Sequence, residues 1–186
     1  MADDSDEGPG LLFWLIVVGA AGVLVWQSQT IGDAVTAAVS GWQNVEQGPV
    51  WVPVINQAES AAGIPANLLA RMAYQESHFR PDVIDGTTAS PAGALGILQL
   101  MPQYFDTVQV ATPFTTADTV AQITQAAQQL ATLYGTFSDW TLAVAGYNAG
   151  AGTVTKYING TGTLPAETQA YVADVIADVP VPGALA

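Results

Sequence analysis

One carboxylate in this sequence lies where a surface helix would not place it. Leu69, Met72, Ala73 and Glu76 follow the i, i+3, i+4, i+7 spacing of one helical face, so Glu76 continues the apolar side of a helix predicted over residues 65–79. Burial raises the pKa of a carboxyl group, and a proton held near neutral pH is what a general acid needs. Glu76 is therefore the candidate catalytic residue. The alternative is a glutamate at a helix end that makes a structural hydrogen bond.

Three further clusters of polar and aromatic residues could complete a site around Glu76. Each has a simple structural explanation when taken alone: the start of a helix, a glycine turn, or one face of an amphipathic helix. Taken together and in this order they are specific. Their candidate site residues are Gln99, then Tyr147 and Asn148, then Glu167 and Tyr171.

Glycine, proline and capping residues divide the chain after Pro49 into helices. Thr115 and Asp118 have the spacing of a capping box, and Pro65 and Pro165 suit helix starts. Residues 82–95 are predicted to be a loop, and a short helix is expected to begin at Gly96. The sequence predicts an all-α domain over residues 50–180, with helices over residues 51–62, 65–79, 116–135, 139–147, 153–158 and 165–180.

The N-terminal part of the chain predicts a membrane anchor. Residues 10–27 carry no charge and are long enough, at about 1.5 Å per residue, for the short end of a bilayer span. We expect one transmembrane helix there, in contact with membrane lipid; a cleaved signal or a buried helix is the alternative. The flanking segments are predicted to be an acidic disordered tail (1–9), a partly amphipathic helical stalk (28–49) and a C-terminal tail (181–186).

Charge and composition exclude several classes of function. The net charge is −13, with sixteen acidic residues against Arg71, Arg80 and Lys156, so the clusters of basic residues that bind nucleic acid are missing. The absence of cysteine excludes disulfides and thiolate metal sites. His78 is the only histidine, so we predict no metal site and no cofactor.

The clusters resemble the lytic transglycosylase family that carries the soluble-lytic-transglycosylase domain, whose fold is shared with goose-type lysozyme. The family's Glu-Ser pair is matched by Glu76-Ser77, and its Gly-Leu-Met-Gln element by Gly96-Ile97-Leu98-Gln99, with Leu98 in place of the usual methionine. The resemblance covers about residues 50–180 and implies a lysozyme-like, mainly α fold.

The remaining site residues take their roles from the same resemblance. The family's Ala-Tyr-Asn-Ala-Gly element is matched by residues 146–150, with Gly146 in place of alanine. The resemblance implies that Tyr147 lies beside the catalytic carboxylate and Asn148 lies in the sugar-binding cleft. Substrate-binding roles are likewise implied for Ser77, Gln99, Glu167 and Tyr171.

The resemblance also implies a reaction. With Glu76 as the single catalytic carboxylate, the enzyme would cleave the bond between N-acetylmuramic acid and N-acetylglucosamine without water and leave a 1,6-anhydromuramyl end. A hydrolytic lysozyme that uses Asp82 or Asp85 as a second carboxylate is the nearest alternative. A catalytically silent glycan-binding membrane protein is the other.

The expected partners and location follow from the anchor and the substrate. Peptidoglycan glycan strands are the expected substrate, and virion or envelope-complex proteins are expected partners. No Lys or Arg precedes Arg71, so charge gives little control over membrane orientation. We therefore expect a single-pass membrane protein, either in the virion membrane of a phage or in a bacterial inner membrane.

Overall fold

In the computed structural model the chain forms two units, Met1–Ala38 and Val39–Ala186. The residues that the structure describes are 13–18, 23–28, 41–104, 111–179 and 181–182.

The described residues of the first unit form two paired strands where the sequence had predicted a transmembrane helix. Strands β1 (Phe13–Val18) and β2 (Val23–Ser28) pair antiparallel, from Phe13 opposite Ser28 to Val18 opposite Val23. The helix prediction is wrong for these twelve positions, and their β-branched and aromatic residues account for the strands. Across the described residues, no helix combines the length and the apolar character needed to cross a lipid bilayer.

The predictions of a disordered tail, a helical stalk and a C-terminal tail concern segments that lie wholly or mostly outside the described residues. The acidic tail at residues 1–9 lies outside the described residues, as do most of the stalk and the last four residues. Of the stalk, Gly41–Asn44 forms one turn of 3-10 helix, and Trp42 within it is buried.

The second unit is helical, which confirms the all-α prediction for this domain. Its described part also includes a 3-10 turn at Pro102–Tyr104 and one isolated bridge between Leu95 and Leu100. The α-helices are α1 (Gly48–Ala62), α2 (Leu68–Ser77), α3 (Pro81–Ile84), α4 (Thr116–Phe137), α5 (Trp140–Ala149), α6 (Ala151–Ile158) and α7 (Ala166–Asp178).

The capping residues explain where several of these helices begin. Thr115 and Asp118 form the predicted capping box at the start of α4. Asp139 caps α5 by accepting a hydrogen bond from the Leu142 N–H, and Ser138, the residue before it, ends α4 with a left-handed backbone. Pro165 immediately precedes α7, close to the predicted start.

The short helix predicted from Gly96 is wrong. The chain instead makes a tight turn over Gly96–Gln99, closed by backbone hydrogen bonds between Leu95 and Leu100 in both directions. Gly96 and Gln99 both have positive φ angles, 81° and 45°, a conformation that a right-handed helix does not allow. Gln99 is therefore part of a turn with a left-handed backbone and does not lie on the face of a helix.

Helix α2 begins three residues later than predicted because Asn67, the residue before it, has a left-handed backbone (φ 67°) that a right-handed helix does not allow. A buried glutamate of α1 binds backbone N–H groups at this helix start. Glu59 is 1% exposed, and its carboxylate accepts hydrogen bonds from the backbone N–H groups of Asn67 (2.7 Å) and Ala70 (2.9 Å). A negative charge at a helix N-terminus stabilises the exposed N–H groups and the helix dipole. Burial raises the pKa of Glu59 to about 7, although these backbone hydrogen bonds act to lower it.

The helices pack so that α2 lies in the core. Helix α2 contacts α1 and α7, and α5 contacts α4, α6 and α7. At Gly146 of α5, an added Cβ would lie 3.1 Å from Leu133 and 3.2 Å from Phe137 of α4. The glycine that replaces the family's alanine therefore allows α5 to approach α4 closely. This packing fixes Tyr147, the next residue, relative to the rest of the domain.

We predict that Glu59→Ala destabilises the domain by about 2–4 kcal/mol, because the change leaves buried N–H groups without an acceptor and opens a cavity. Urea unfolding followed by circular dichroism measures the change. The matched control is Glu46→Ala, at an exposed glutamate, which should lie within about 0.5 kcal/mol of wild type. Equal stabilities for the two variants would contradict the capping role of Glu59.

Candidate active site

The centre of the site is Glu76, near the C-terminal end of α2. Its Oε1 atom accepts a hydrogen bond of 2.8 Å from the Tyr171 hydroxyl of α7. Burial raises the pKa of Glu76 to about 7, and the Tyr171 hydrogen bond limits that rise because it favours the ionised form. The carboxyl group is therefore poised to give and take a proton near neutral pH, as a general acid and base must.

The two predicted tyrosines are both at this carboxyl group. Burial and the negative charge of Glu76 raise the pKa of Tyr147 and of Tyr171 well above the usual value. Both hydroxyls therefore stay protonated and act as hydrogen-bond donors. Tyr171 donates to Glu76, while the Tyr147 hydroxyl donates to the Leu98 carbonyl at 2.9 Å.

The Leu98 contact joins the Gly96–Gln99 turn to the site. Gln99 follows Leu98 directly and is half-buried, and its amide donates to the Gly96 carbonyl at 2.9 Å. Gln122 of α4 is fully buried against the turn, and a Cβ at Gly96 would overlap its side-chain oxygen. Glycine is thus required at this position for two reasons, the positive φ and the contact with Gln122.

The predicted polar residues Asn148 and Glu167 are both near the start of α7. Asn148 contacts the first turn of this helix, and Glu167 belongs to that turn. Asn148 is exposed, and its side-chain oxygen accepts a hydrogen bond of 2.7 Å from the buried Thr168 hydroxyl. This contact orients the amide while its NH₂ group remains a donor for a ligand. Glu167 is exposed in the first turn of α7. Within the described structure, no hydrogen bond or ion pair joins it to the other predicted site residues.

Ser77 lies at the C-terminal end of α2 and is 2% exposed. Its hydroxyl donates to the Ala73 carbonyl at 2.8 Å and accepts from the Phe79 N–H at 3.1 Å. Both partners are backbone groups of the same helix end, and a substrate-binding role for Ser77 stays a prediction. Its hydrogen bonds shape the C-terminal end of α2, immediately after Glu76.

Sequence reasoning missed several residues that position the site. Arg71 was noted only as a cation, but its side chain is 8% exposed and forms an ion pair of 2.6 Å with Asp178. The sequence did contain a signal for this role, because a charged residue that lies between apolar residues of a buried helix needs a partner. Thr168 and Gln122 gave no signal in the sequence pattern.

The aspartates of the hydrolytic alternative are engaged in local loop contacts. Asp82 forms an ion pair of 2.6 Å with Arg80 and accepts from the Thr88 hydroxyl at 2.8 Å; its pKa is lowered, chiefly by the Arg80 hydrogen bond. Asp85 accepts from the N–H and the hydroxyl of Thr87. His78 is exposed and packs on Tyr74 with ring centroids 4.9 Å apart.

Metal ligands would have to come from grouped acidic residues or histidine. Among the described residues, no group of three or more such side chains is arranged to hold a metal ion.

The geometry defines a helical domain with a half-buried acidic group that accepts a hydrogen bond from one protonated tyrosine, Tyr171, and interacts electrostatically with a second, Tyr147. The family model for the transglycosylase SLT domain matches residues 53–170, which is more than half of the chain. The chain belongs to this family.

A solved structure has a similar fold. An X-ray structure of an inactive mutant of the lytic transglycosylase Slt from Pseudomonas aeruginosa matches with a TM-score of 0.53 and 23% sequence identity. The match covers 67% of this chain and 22% of that one. The chain therefore spans only a small part of that protein's length, and the likeness is one of fold.

We predict that the stability of the domain falls as the pH rises from about 5 to about 8. Folding raises the pKa of Glu76 from 4.5 to about 7, so the folded state holds this proton more tightly, and its contribution is lost as the pH rises through that window. Such a rise corresponds to about 3 kcal/mol. Glu59 acts in the same direction.

The variant Glu76→Gln, which keeps the shape without the titrating proton, should therefore lose less stability over this range than wild type. Urea unfolding at pH 5, 6, 7 and 8 measures the difference, with the exposed Glu46→Gln as the control. Identical pH profiles for wild type and Glu76→Gln would show that the carboxyl group has an ordinary pKa.

Proposed function

We propose that this protein is a peptidoglycan lytic transglycosylase in which Glu76 is the catalytic residue. The observation that carries the proposal is the half-buried Glu76 carboxyl group, with a pKa raised to about 7 and a hydrogen bond from Tyr171. Membership of the transglycosylase SLT family supports the reaction class. The proposed substrate is the glycan strand of peptidoglycan.

In the proposed reaction Glu76 acts first as an acid and then as a base. It protonates the glycosidic oxygen as the bond from that oxygen to the muramyl C1 atom breaks, and the substrate acetamido group stabilises the positive C1 centre. The ionised Glu76 then takes the proton of the muramyl C6 hydroxyl while the C6 oxygen bonds to C1. Glu76 is thereby protonated again, and its first proton leaves with the departing sugar. No water is consumed, and the product has a 1,6-anhydro end.

The surroundings of Glu76 suit both steps. A pKa near 7 allows the carboxyl group to lose and regain its proton at neutral pH. The Tyr171 hydroxyl supports the ionised form between the steps. Because Tyr147 is tied to the Leu98 carbonyl, it holds the Gly96–Gln99 turn beside the reacting carboxyl group, and we propose that Gln99 and Asn148 bind the sugar there.

The same observations favour this reaction over hydrolysis. A lysozyme-type mechanism needs a second carboxylate as nucleophile or as base for water. Asp82 pairs with Arg80 and accepts a hydrogen bond from Thr88. Asp85 accepts two hydrogen bonds from Thr87, so both carboxylates are engaged within their own loop. We therefore propose a single-carboxylate reaction.

We predict that the purified protein releases fragments with 1,6-anhydromuramyl ends from peptidoglycan sacculi. Mass spectrometry identifies them because each is one water lighter than the product of hydrolysis. Glu76→Gln should lower the rate by about 10²- to 10⁴-fold while circular dichroism remains that of the wild type. Asp85→Asn is the matched control and should retain activity.

Three other results would change the assignment. Reducing muramic acid ends, together with loss of activity in Asp85→Asn or Asp82→Asn, would indicate a hydrolase. Cleavage by Glu76→Gln at the wild-type rate would remove Glu76 as the catalyst. Binding of sacculi by the wild type without any cleavage would indicate a glycan-binding protein.

We further propose that the protein works at a membrane, as a virion component of a phage that opens the cell wall during entry. The support comes from sequence: residues 10–27 are uncharged and apolar, and no basic residue before Arg71 directs the enzyme domain to the periplasm. An enzyme kept on the cytoplasmic face spares the producing cell.

We predict that a C-terminal reporter on the full chain, expressed in a bacterium, is active in the cytoplasm and that the cells do not lyse. The chain should sediment with membranes, and a matched deletion of residues 10–27 should not. A reporter active only in the periplasm, with lysis on expression, would contradict the virion proposal.

A further inference from the structure

Helices α2 and α7 are joined by a series of polar contacts that ends at Glu76. The two helices run in opposite directions along this contact, so earlier residues of α2 meet later residues of α7. The pairs are Glu76 with Tyr171 (2.8 Å), Gln75 with Asp174 (3.4 Å) and Arg71 with Asp178 (2.6 Å). We call this series the α2–α7 ladder.

Arg71 is the strongest member of the ladder. Its Nε atom donates to Asp178 at 2.6 Å and its Nη1 atom donates to Gln75 at 2.9 Å. The guanidinium carbon lies 5.2 Å from the centre of the Tyr74 ring, within the range of a cation–π interaction. The Arg71 side chain is 8% exposed and the Asp178 side chain is 42% exposed, so the ion pair is partly buried and solvent screens it less than a pair in which both partners are exposed.

The spacing along α7 explains how this ion pair bears on the site. Tyr171, Asp174 and Asp178 are separated by three and four residues, so they share one face of α7. A hydrogen bond from a tyrosine is sensitive to a shift of its helix by a few tenths of an ångström. The contact of Asp178 with Arg71 fixes α7 against α2 about two turns away from Tyr171.

We propose that Arg71 and Asp178 are positioning residues for the reaction: by fixing α7 against α2, their ion pair holds the Tyr171 hydroxyl at hydrogen-bonding distance from Glu76. Neither residue touches the carboxyl group in the structure. Only the kinetic part of this inference rests on the proposed function, since the contact of Tyr171 with Glu76 can be measured without turnover.

Removing Asp178 should change the pKa of Glu76, and the direction of that change distinguishes positioning through Tyr171 from a direct electrostatic effect of the Asp178 charge. The titratable groups that face Glu76 are Tyr171 from α7 and Tyr147 from α5. If Asp178 acts through Tyr171, removing it weakens a hydrogen bond to the ionised carboxylate and raises the pKa of Glu76. If Asp178 acted on Glu76 only through its charge, removing a negative charge would lower that pKa.

The test is a carboxyl ¹³C NMR titration of Glu76 in the full chain, for wild type, Asp178→Ala, Tyr171→Phe and the double variant. Asp178 is at the end of α7 and its side chain is 42% exposed, so Asp178→Ala removes the ion pair without opening a core cavity. We expect Asp178→Ala and Tyr171→Phe each to raise the pKa of Glu76. The double variant should match Tyr171→Phe alone, since Asp178 then has nothing to position.

Two further variants serve as controls: one breaks an ion pair elsewhere in the domain, and the other removes the charge of Asp178 while keeping the size of its side chain. Arg80→Gln breaks the exposed ion pair with Asp82 and should leave the Glu76 titration unchanged. Asp178→Asn keeps the size of the side chain and one acceptor oxygen, so its effect should lie between those of wild type and Asp178→Ala. If Asp178→Ala does not fold, Asp178→Asn takes its place in the comparison with Tyr171→Phe.

The kinetic measurement gives a second, separate result. On peptidoglycan, Asp178→Ala should lower kcat by about three- to tenfold with little change in KM. An unchanged or lowered Glu76 pKa in folded Asp178→Ala, or an equal effect in the Tyr171→Phe background, would overturn the positioning role. A wild-type protein without any cleavage would instead overturn the proposed function, and the titration would still decide this inference.

Discussion

The hydrogen bond between the Tyr171 hydroxyl and Glu76 is the interaction on which the site depends. Two effects oppose each other at this carboxyl group, because burial favours the protonated form and the tyrosine favours the ionised form. Their balance gives a pKa of about 7. A site with burial alone would keep its proton, and a fully solvated carboxylate would have lost it.

The rest of the domain holds α2 so that this balance is maintained. Glu59 binds the first N–H groups of α2 from α1, and Ser77 bonds to the backbone at the opposite end. Arg71 connects the middle of the helix to α7. Helix α2 is thus attached at three points along its length. The cost is a set of buried polar and charged groups, each of which is stable only while its partner is present.

The sequence predicted the helical class of the domain and the central residues of the site. Periodicity placed Glu76 on an apolar face, and the capping box at Thr115 located the start of α4, because both signals are local. The turn at Gly96–Gln99 was mistaken for a helix since its conformation depends on two positive φ angles and on a long-range contact of Leu98 with Tyr147. Apolar residues 10–27 suit a helix and a strand equally well, and length alone favoured the helix there.

Arg71, Asp178 and Glu59 were not recognised because no local pattern shows which charges are paired. Glu59 looks like an ordinary polar position of α1, and its partners are backbone groups that carry no sequence signature. Ser77 was placed with the substrate by its neighbour in the motif, and its own hydrogen bonds in the structure are to backbone. Long-range polar pairing is the part of this site that requires the three-dimensional structure.

The order of the elements along the chain has a consequence for the newly made protein. Glu76 and Tyr171 are 95 residues apart, and a ribosome adding about 5–20 residues per second needs roughly 5–20 s to make the intervening chain. During that time α2 exists without Tyr171 and Asp178, the α7 residues that it contacts in the folded domain. The nascent domain therefore lacks a complete site until its last helix has been made and has docked. A chain that ends before α7 would lack both the Tyr171 hydrogen bond to Glu76 and the Asp178 ion pair with Arg71.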